Sequence, residues 1–182
     1  MEGLPGHPVR RPGRRAGGGP VLSRRLVLLR HGRTSHNASG VIQGQLDIAL
    51  DELGRAQAVA AARVLAAVRP DVLVSSDLSR ARETAEVLAA ACDLPVTFDP
   101  RLRELDLGSW QGLTSEQARE QHPDEHAAWL DGVDVPRGGG ETYAQAGARA
   151  AEAVLSLELP PDGTLVAVTH GGTARAAVAA LL

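Results

Sequence analysis

The sequence predicts an α/β protein, a three-layer α/β/α sandwich around a mostly parallel central sheet. Short apolar runs of strand character alternate with segments of helical spacing, a pattern that builds parallel sheets covered on both faces. Two of those runs, "LVLLRHGR" and "LVAVTHGG", end alike: four apolar residues, one polar residue, a histidine and a glycine. At 182 residues and 43% apolar content, the chain suits a single domain with a core of ordinary size.

Residues 1–22 are rich in Arg, Gly and Pro, lack the apolar region of a signal peptide and read as a disordered tail; residues 23–182 form the domain. The run 26–29 is strand-like. Leu53, Ala56, Ala60, Val64 and Ala67 recur at spacings of three and four, which predicts a helix over 52–67. A short β-branched strand over 71–74 sits between Pro70 and Ser75. The next helix starts around Asp77, with Ser76 or Asp77 as its N-cap, and runs to about Cys92. Another strand falls at 95–98, and short helices at 114–121 and 123–130 are separated at His122-Pro123. The glycine run 138–140 breaks the chain before a helix from Glu141 to about Leu157, and a buried-looking strand over 165–172 leads into an apolar helix over 173–182.

Composition removes several function classes. All 19 cationic residues are arginine, so Schiff-base lysines, the P-loop lysine and Ser-Lys dyads are absent, and arginine must build any anion site. The single cysteine, Cys92, excludes an internal disulfide and a cysteine-based zinc cluster, and suggests a reducing, cytoplasmic setting. No segment approaches the ~20 apolar residues of a membrane span. Residues 26–182 carry 13 positive and 21 negative charges, net −8, which argues against a nucleic-acid groove. The expected partner is a phosphorylated small molecule, with no nucleic acid and no membrane; nothing fixes the oligomeric state, and a homodimer is compatible with it.

In open parallel sheets, sites form beyond the carboxyl ends of the strands. If the two matched strands are neighbours, about 4.8 Å apart, His31 and His170 face one pocket, with Arg30 beside them. The helix after strand 71–74 contributes a second arginine. Arg80 and Arg82 lie two residues apart and so point away from each other, and spacing alone does not choose between them. Such a cluster favours phosphate. Neutral imidazole is a competent nucleophile toward phosphorus, and its attack releases an alkoxide that a carboxylic acid of raised pKa can protonate. Glu104 and Asp106 in "RLRELDLGSWQGLT" are the candidates, each also within reach of pairing with Arg101 or Arg103.

These segments, in order, resemble the histidine phosphatase superfamily, or phosphoglycerate mutase-like family, over residues 26–182. "LRHGRTSHN" matches its Arg-His-Gly signature, "SSDLSRARETA" its second arginine segment, "LRELDLGSWQG" its acid segment, "GGGET" its glycine turn and "VTHGG" its second histidine. The resemblance implies a phosphoglycerate mutase-like fold and a metal-independent phosphomonoester hydrolase without a cofactor. It implies that His31 is transiently phosphorylated, that Arg30, Arg82 and His170 hold the phosphoryl oxygens, and that Glu104 donates the proton and later helps activate water. Asn37, Gln43, Gly44 and Gly171 fall where the family contacts phosphate or substrate. By motif matching it selects Arg82 over Arg80 and Glu104 over Asp106.

Two alternatives stand beside hydrolysis. The mutase branch shares the pocket, but its members generally have tryptophan before the motif asparagine, a longer insertion after the acid segment and lysines around the substrate; this chain has His36 before Asn37, a compact stretch to Gly138 and no lysine. A non-catalytic phosphate-binding module is the other alternative, against which all five expected catalytic positions are filled. "HPDEH" matches the H-x-x-E-H pattern of inverzincins, but Pro123 favours the first helical position and puts His122 at the cap, off the face of His126. No phosphate-cradling loop follows Cys92, which reads as a packing residue. The chain ends in "ARAAVAALL", where family members usually continue into a further strand, so the resemblance implies a shortened C-terminus.

Overall fold

The strand Thr164–Thr169 is buried at all six positions, as a strand is when its sheet is covered on both faces. The computed structural model, which describes residues 23–182, places it as β4 beside β1 (Arg25–Arg30) and β2 (Val72–Ser75), with the two-residue β3 (Thr97–Phe98) beyond β2. All pairings are parallel, in the order β1-β4-β2-β3. The tail expected over residues 1–22 lies outside the described residues.

Alternation along β4 sorts the layers. Leu165 and Ala167 pack with Val74 and Leu102 against Ala150, Ala153 and Val154 of α6 (Tyr143–Leu155) and Ala177 of α7 (Gly171–Leu181). Val166 and Val168 face the other way with Leu73, against Ala62 of α2 (Glu52–Ala66) and Ala81, Ala85 and Leu88 of α3 (Ser79–Cys92). Alanine on the helices lets them lie close to the sheet, which is how a chain with one phenylalanine and one tyrosine fills its interior. The expected three-layer sandwich is the observed one.

A third cluster holds the short helices α4 (Ser115–Gln121) and α5 (Pro123–Leu130). Trp110, 1% exposed, packs with Leu105, Leu107, Ala118, Ala146 and Ala176, stacks on His126 and meets Trp129 edge-on.

The departures from the expected elements have local causes. Helix α1 (Ser35–Ser39) has no apolar stripe and depends on a capping box between Thr34 and Asn37. Helix α3 starts at Ser79, where Asp47 accepts the Ser79 N–H and hydroxyl while Ser76 accepts the preceding Leu78 N–H, and α6 starts at Tyr143, where Thr142 and Gln145 form a capping box. Strand β4 ends at Thr169 and α7 begins at Gly171, so His170 is the hinge residue between them.

The turn after β1 rests on the start of α2. The Asp51 N–H donates to the Arg33 carbonyl and the Arg33 N–H to Gln57 Oε1, while Asp51 caps α2 through Gly54 N–H at 2.7 Å. The approach is so close that a Cβ on Gly54 would lie 2.0 Å from the Arg33 carbonyl oxygen. Gly54→Ala should therefore cost about 1–3 kcal/mol by overpacking and lower the melting temperature by several degrees. An unchanged melting temperature would contradict this close contact.

Candidate active site

The register of β1 against β4 sets the distance between the two histidines. Arg30 pairs with Thr169, and the His31 N–H extends the ladder to the Thr169 carbonyl at 3.0 Å, so His31 and His170 emerge side by side with ring centroids 5.1 Å apart.

Hydrogen bonds assign the tautomers. His31 Nδ1 lies 2.6 Å from the Gly32 carbonyl oxygen, which can only accept, so Nδ1 carries the hydrogen and Nε2 keeps its lone pair. Burial lowers the His31 pKa to about 4; the Arg80 and Arg30 charges add to that, and the Gly32 hydrogen bond opposes it. The ring is thus neutral at pH 7. His170, with no exposed surface, accepts from Arg80 Nε at Nδ1 (3.2 Å), so its hydrogen sits on Nε2, 2.9 Å from Ser76 Oγ. Burial first, then Arg80, holds its pKa well below the usual imidazole value.

The structure corrects the choice of arginine. Arg80, not Arg82, enters the site: it is fully buried and donates from Nε to His170, from NH1 to the Leu46 carbonyl (2.6 Å) and from NH2 to the Gly44 carbonyl (2.7 Å). Arg82 is exposed, with its guanidinium over the Phe98 ring at 4.2 Å. The reason is helical geometry. Residues two apart diverge by about 200° around the axis, so burying one arginine in α3 sends the other to the surface. Burial pulls the Arg80 pKa down to about 10, against the opposing pull of Glu104 and Asp47, and it remains charged at neutral pH. Three of its five N–H groups are spent on the protein, which leaves two for a ligand. Arg30 is the exposed cation at the mouth, lying along Gly171.

Glu104 sits at the start of α7. Its carboxylate accepts from the Gly172 N–H (3.1 Å), the Thr173 N–H (2.8 Å) and the Leu105 N–H (3.0 Å), and lies 3.1 Å from the Thr173 hydroxyl, which donates to the Arg103 carbonyl. A Cβ on Gly172 would lie 2.6 Å from Glu104 Oε1, so only glycine leaves room for that carboxylate. Asp106 turns away to the Gly108 N–H. Neither acid pairs with the adjacent arginines: Arg101 pairs with Asp99 and Glu152, and Arg103 with Asp77.

Two of the remaining expected residues, Asn37 and Gln43, form a network around a residue that sequence reasoning passed over, while Gly171 lies against Arg30. Thr34, fully buried, has its hydroxyl 2.8 Å from Gln43 Oε1 and 3.1 Å from Asn37 Oδ1, and that hydroxyl accepts the Asn37 N–H. Gly44 is engaged separately, its carbonyl accepting from Arg80. Ser76, Gln45 and Thr173 were likewise missed. Of the missed residues, Thr34 had a sequence cue as the cap of a Thr-x-x-Asn turn, and Ser76 had one as an N-cap candidate.

The "HPDEH" residues are occupied separately. His122 Nε2 lies 3.1 Å from Ser109 Oγ, Glu125 accepts from Trp110 Nε1 and the Gly138 N–H, and His126 stacks on Trp110. Among the described residues no group of three or more His, Cys, Asp or Glu side chains is placed to hold a metal ion, and no helix is long and apolar enough to cross a membrane.

Comparison with known proteins agrees with this geometry. The model of the histidine phosphatase superfamily (branch 1) matches residues 26–182. Glucosyl-3-phosphoglycerate phosphatase of Mycobacterium tuberculosis is 45% identical over 171 residues, covering 89% of this chain and 77% of that one. The metal-independent phosphoserine phosphatase of Arabidopsis thaliana is 40% identical over 157 residues, covering 83% and 66%. The solved structure of a mycobacterial glucosyl-3-phosphoglycerate phosphatase complexed with VO3 superposes with a TM-score of 0.83 at 47% identity, covering 88% of this chain and 82% of that one. With the match running from β1 through α7, the chain belongs to the histidine phosphatase superfamily, branch 1.

Proposed function

We propose that the protein hydrolyses a small-molecule phosphomonoester through a phosphohistidine on His31, and that its substrate is glucosyl-3-phosphoglycerate. The observation that carries this reading is the His31 ring: neutral, tethered through Nδ1 and next to a buried guanidinium that keeps two N–H groups free. The names of the similar enzymes support the substrate.

In the first step the Nε2 lone pair of His31 attacks phosphorus while the bond from phosphorus to the ester oxygen breaks, and Glu104 delivers a proton to that oxygen. Arg80 and Arg30 stabilise the charge on the phosphoryl oxygens, the electrostatic work that dominates phosphoryl transfer. His170 acts in this arrangement through Arg80, aiming the guanidinium by accepting its Nε–H. In the second step Glu104 takes a proton from water as the water oxygen bonds to phosphorus and Nε2 departs. The Gly44 and Leu46 carbonyls fix Arg80, and the Thr34, Asn37 and Gln43 network orders the chain that leads into Gly44. Cys92, half-buried at the end of α3, fits a reducing, cytoplasmic setting.

A phosphate-release assay on glucosyl-3-phosphoglycerate, 3-phosphoglycerate, phosphoserine and sugar phosphates tests the substrate. We expect kcat/KM to be highest for glucosyl-3-phosphoglycerate; equal values on all would remove the narrow assignment, and isomerised phosphoester without free phosphate would favour the mutase alternative. Arg80→Lys should lower kcat/KM about 10²–10³-fold, because an ammonium cannot hold His170, two carbonyls and a phosphoryl group together, whereas Arg82→Gln should leave activity near wild type. The reverse ranking would overturn the arrangement at α3.

The histidine tautomers predict a pH response. With its folded pKa lowered to about 4, His31 binds fewer protons than the unfolded chain between about pH 4 and 6.5, the range bounded above by the free imidazole value. Its contribution to stability is then complete above about pH 6.5 and is lost as pH falls through about 4. NMR of ¹⁵N-histidine-labelled protein should show the His31 and His170 rings neutral from pH 5 to 8. A midpoint near 6.5 for either ring would contradict the buried, neutral assignment.

A further inference from the structure

Residues 101–104 reach the site without an α-helix or a β ladder to hold them, yet all four carbonyls accept from side chains. Arg149 NH1 donates to the Arg101 carbonyl at 2.6 Å and to the Arg103 carbonyl at 2.8 Å, and NH2 donates to the Glu104 carbonyl at 3.0 Å. Thr169 takes the Leu102 carbonyl, Thr173 shares that of Arg103, and Gln45 shares that of Glu104.

The other half of the Arg149 fork is bidentate on Glu141, Nε to Oε1 at 2.7 Å and NH2 to Oε2 at 2.8 Å. Glu141 in turn grips the far side of the acid segment: its Oε2 accepts the Asp106 N–H at 2.9 Å, and its own N–H donates to the Asp106 carbonyl at 2.8 Å. All five N–H donors of Arg149 are thereby used, so it has none left for a ligand. Neither residue is a surface ion pair; the side chains are 19% and 24% exposed.

We infer that the Arg149–Glu141 pair is the positioning device for Glu104: α6 carries a planar fork that fixes the backbone on both sides of the acid, and so sets where its carboxyl meets the departing ester oxygen. This rests on the reading of Glu104 as proton donor. Lysine cannot substitute, since an ammonium offers three donors and no plane.

The test exploits leaving-group chemistry. A nitrophenolate departs without a proton, whereas an alkyl alkoxide needs one, so a misplaced acid slows alkyl phosphates selectively. The readout is the ratio of kcat/KM for p-nitrophenyl phosphate to that for an alkyl phosphate such as 3-phosphoglycerate. Measured on a single preparation, the ratio is independent of how much of the protein is folded. Arg149→Lys and Arg149→Met should each raise it about tenfold or more, within the penalty of roughly 10²-fold known for ångström-scale misplacement. Glu141→Gln should move it in the same direction, and Glu104→Gln is the reference for complete loss of the acid. If Glu104→Gln raises the ratio and the Arg149 variants do not, the positioning role is overturned while the acid stands. If Glu104→Gln leaves the ratio unchanged, Glu104 is not the proton donor and the inference falls with it.

Discussion

A parallel pairing six residues long sets both the core and the candidate site. Leu28 must face the layer of α6 and α7, and Val27 and Leu29 the layer of α2 and α3, because their partners Ala167, Val166 and Val168 in β4 are fully buried on those respective faces. A slip of one residue would turn every side chain of β1 to the wrong layer. The same register brings His31 beside His170, so the packing that stabilises the sheet also sets the geometry of the site, and neither can change alone.

Burial then decides the chemistry of the charges. Two imidazoles within reach of Arg30 and Arg80 would repel them if protonated, and desolvation acts in the same direction, so both rings stay neutral while the buried Arg80 keeps its charge. The result is an imidazole with an available lone pair beside a buried Arg80 guanidinium that stays charged at neutral pH. Carbonyl oxygens of Gly44 and Leu46 and the His170 ring compensate the buried Arg80, as a desolvated cation requires.

Much of this was legible in the residues. Matched strand ends foretold adjacent histidines because strand spacing is fixed by backbone hydrogen bonding; helical spacing located α2, and cap residues and the His122-Pro123 break located α3, α4 and α5, to within a few residues. The choice between Arg80 and Arg82 was not legible: periodicity shows that they diverge without showing which faces inward, and motif matching picked the exposed one. That choice depends on where α3 begins relative to the end of β2, a start at which Asp47, 32 residues away in the chain, accepts the Ser79 N–H. The partners of the Arg101–Glu104 carbonyls were also hidden, since contacts between Arg149 and a segment 45 to 48 residues earlier leave no local pattern.

The central claim is that His31 becomes covalently phosphorylated during turnover. Rapid quenching of the enzyme with a ³²P-labelled phosphomonoester, followed by digestion and mapping, tests it directly. The account predicts acid-labile, base-stable label on the peptide that carries His31 and none in His31→Ala. Label on any other residue, or turnover at the wild-type rate by His31→Ala, would contradict it.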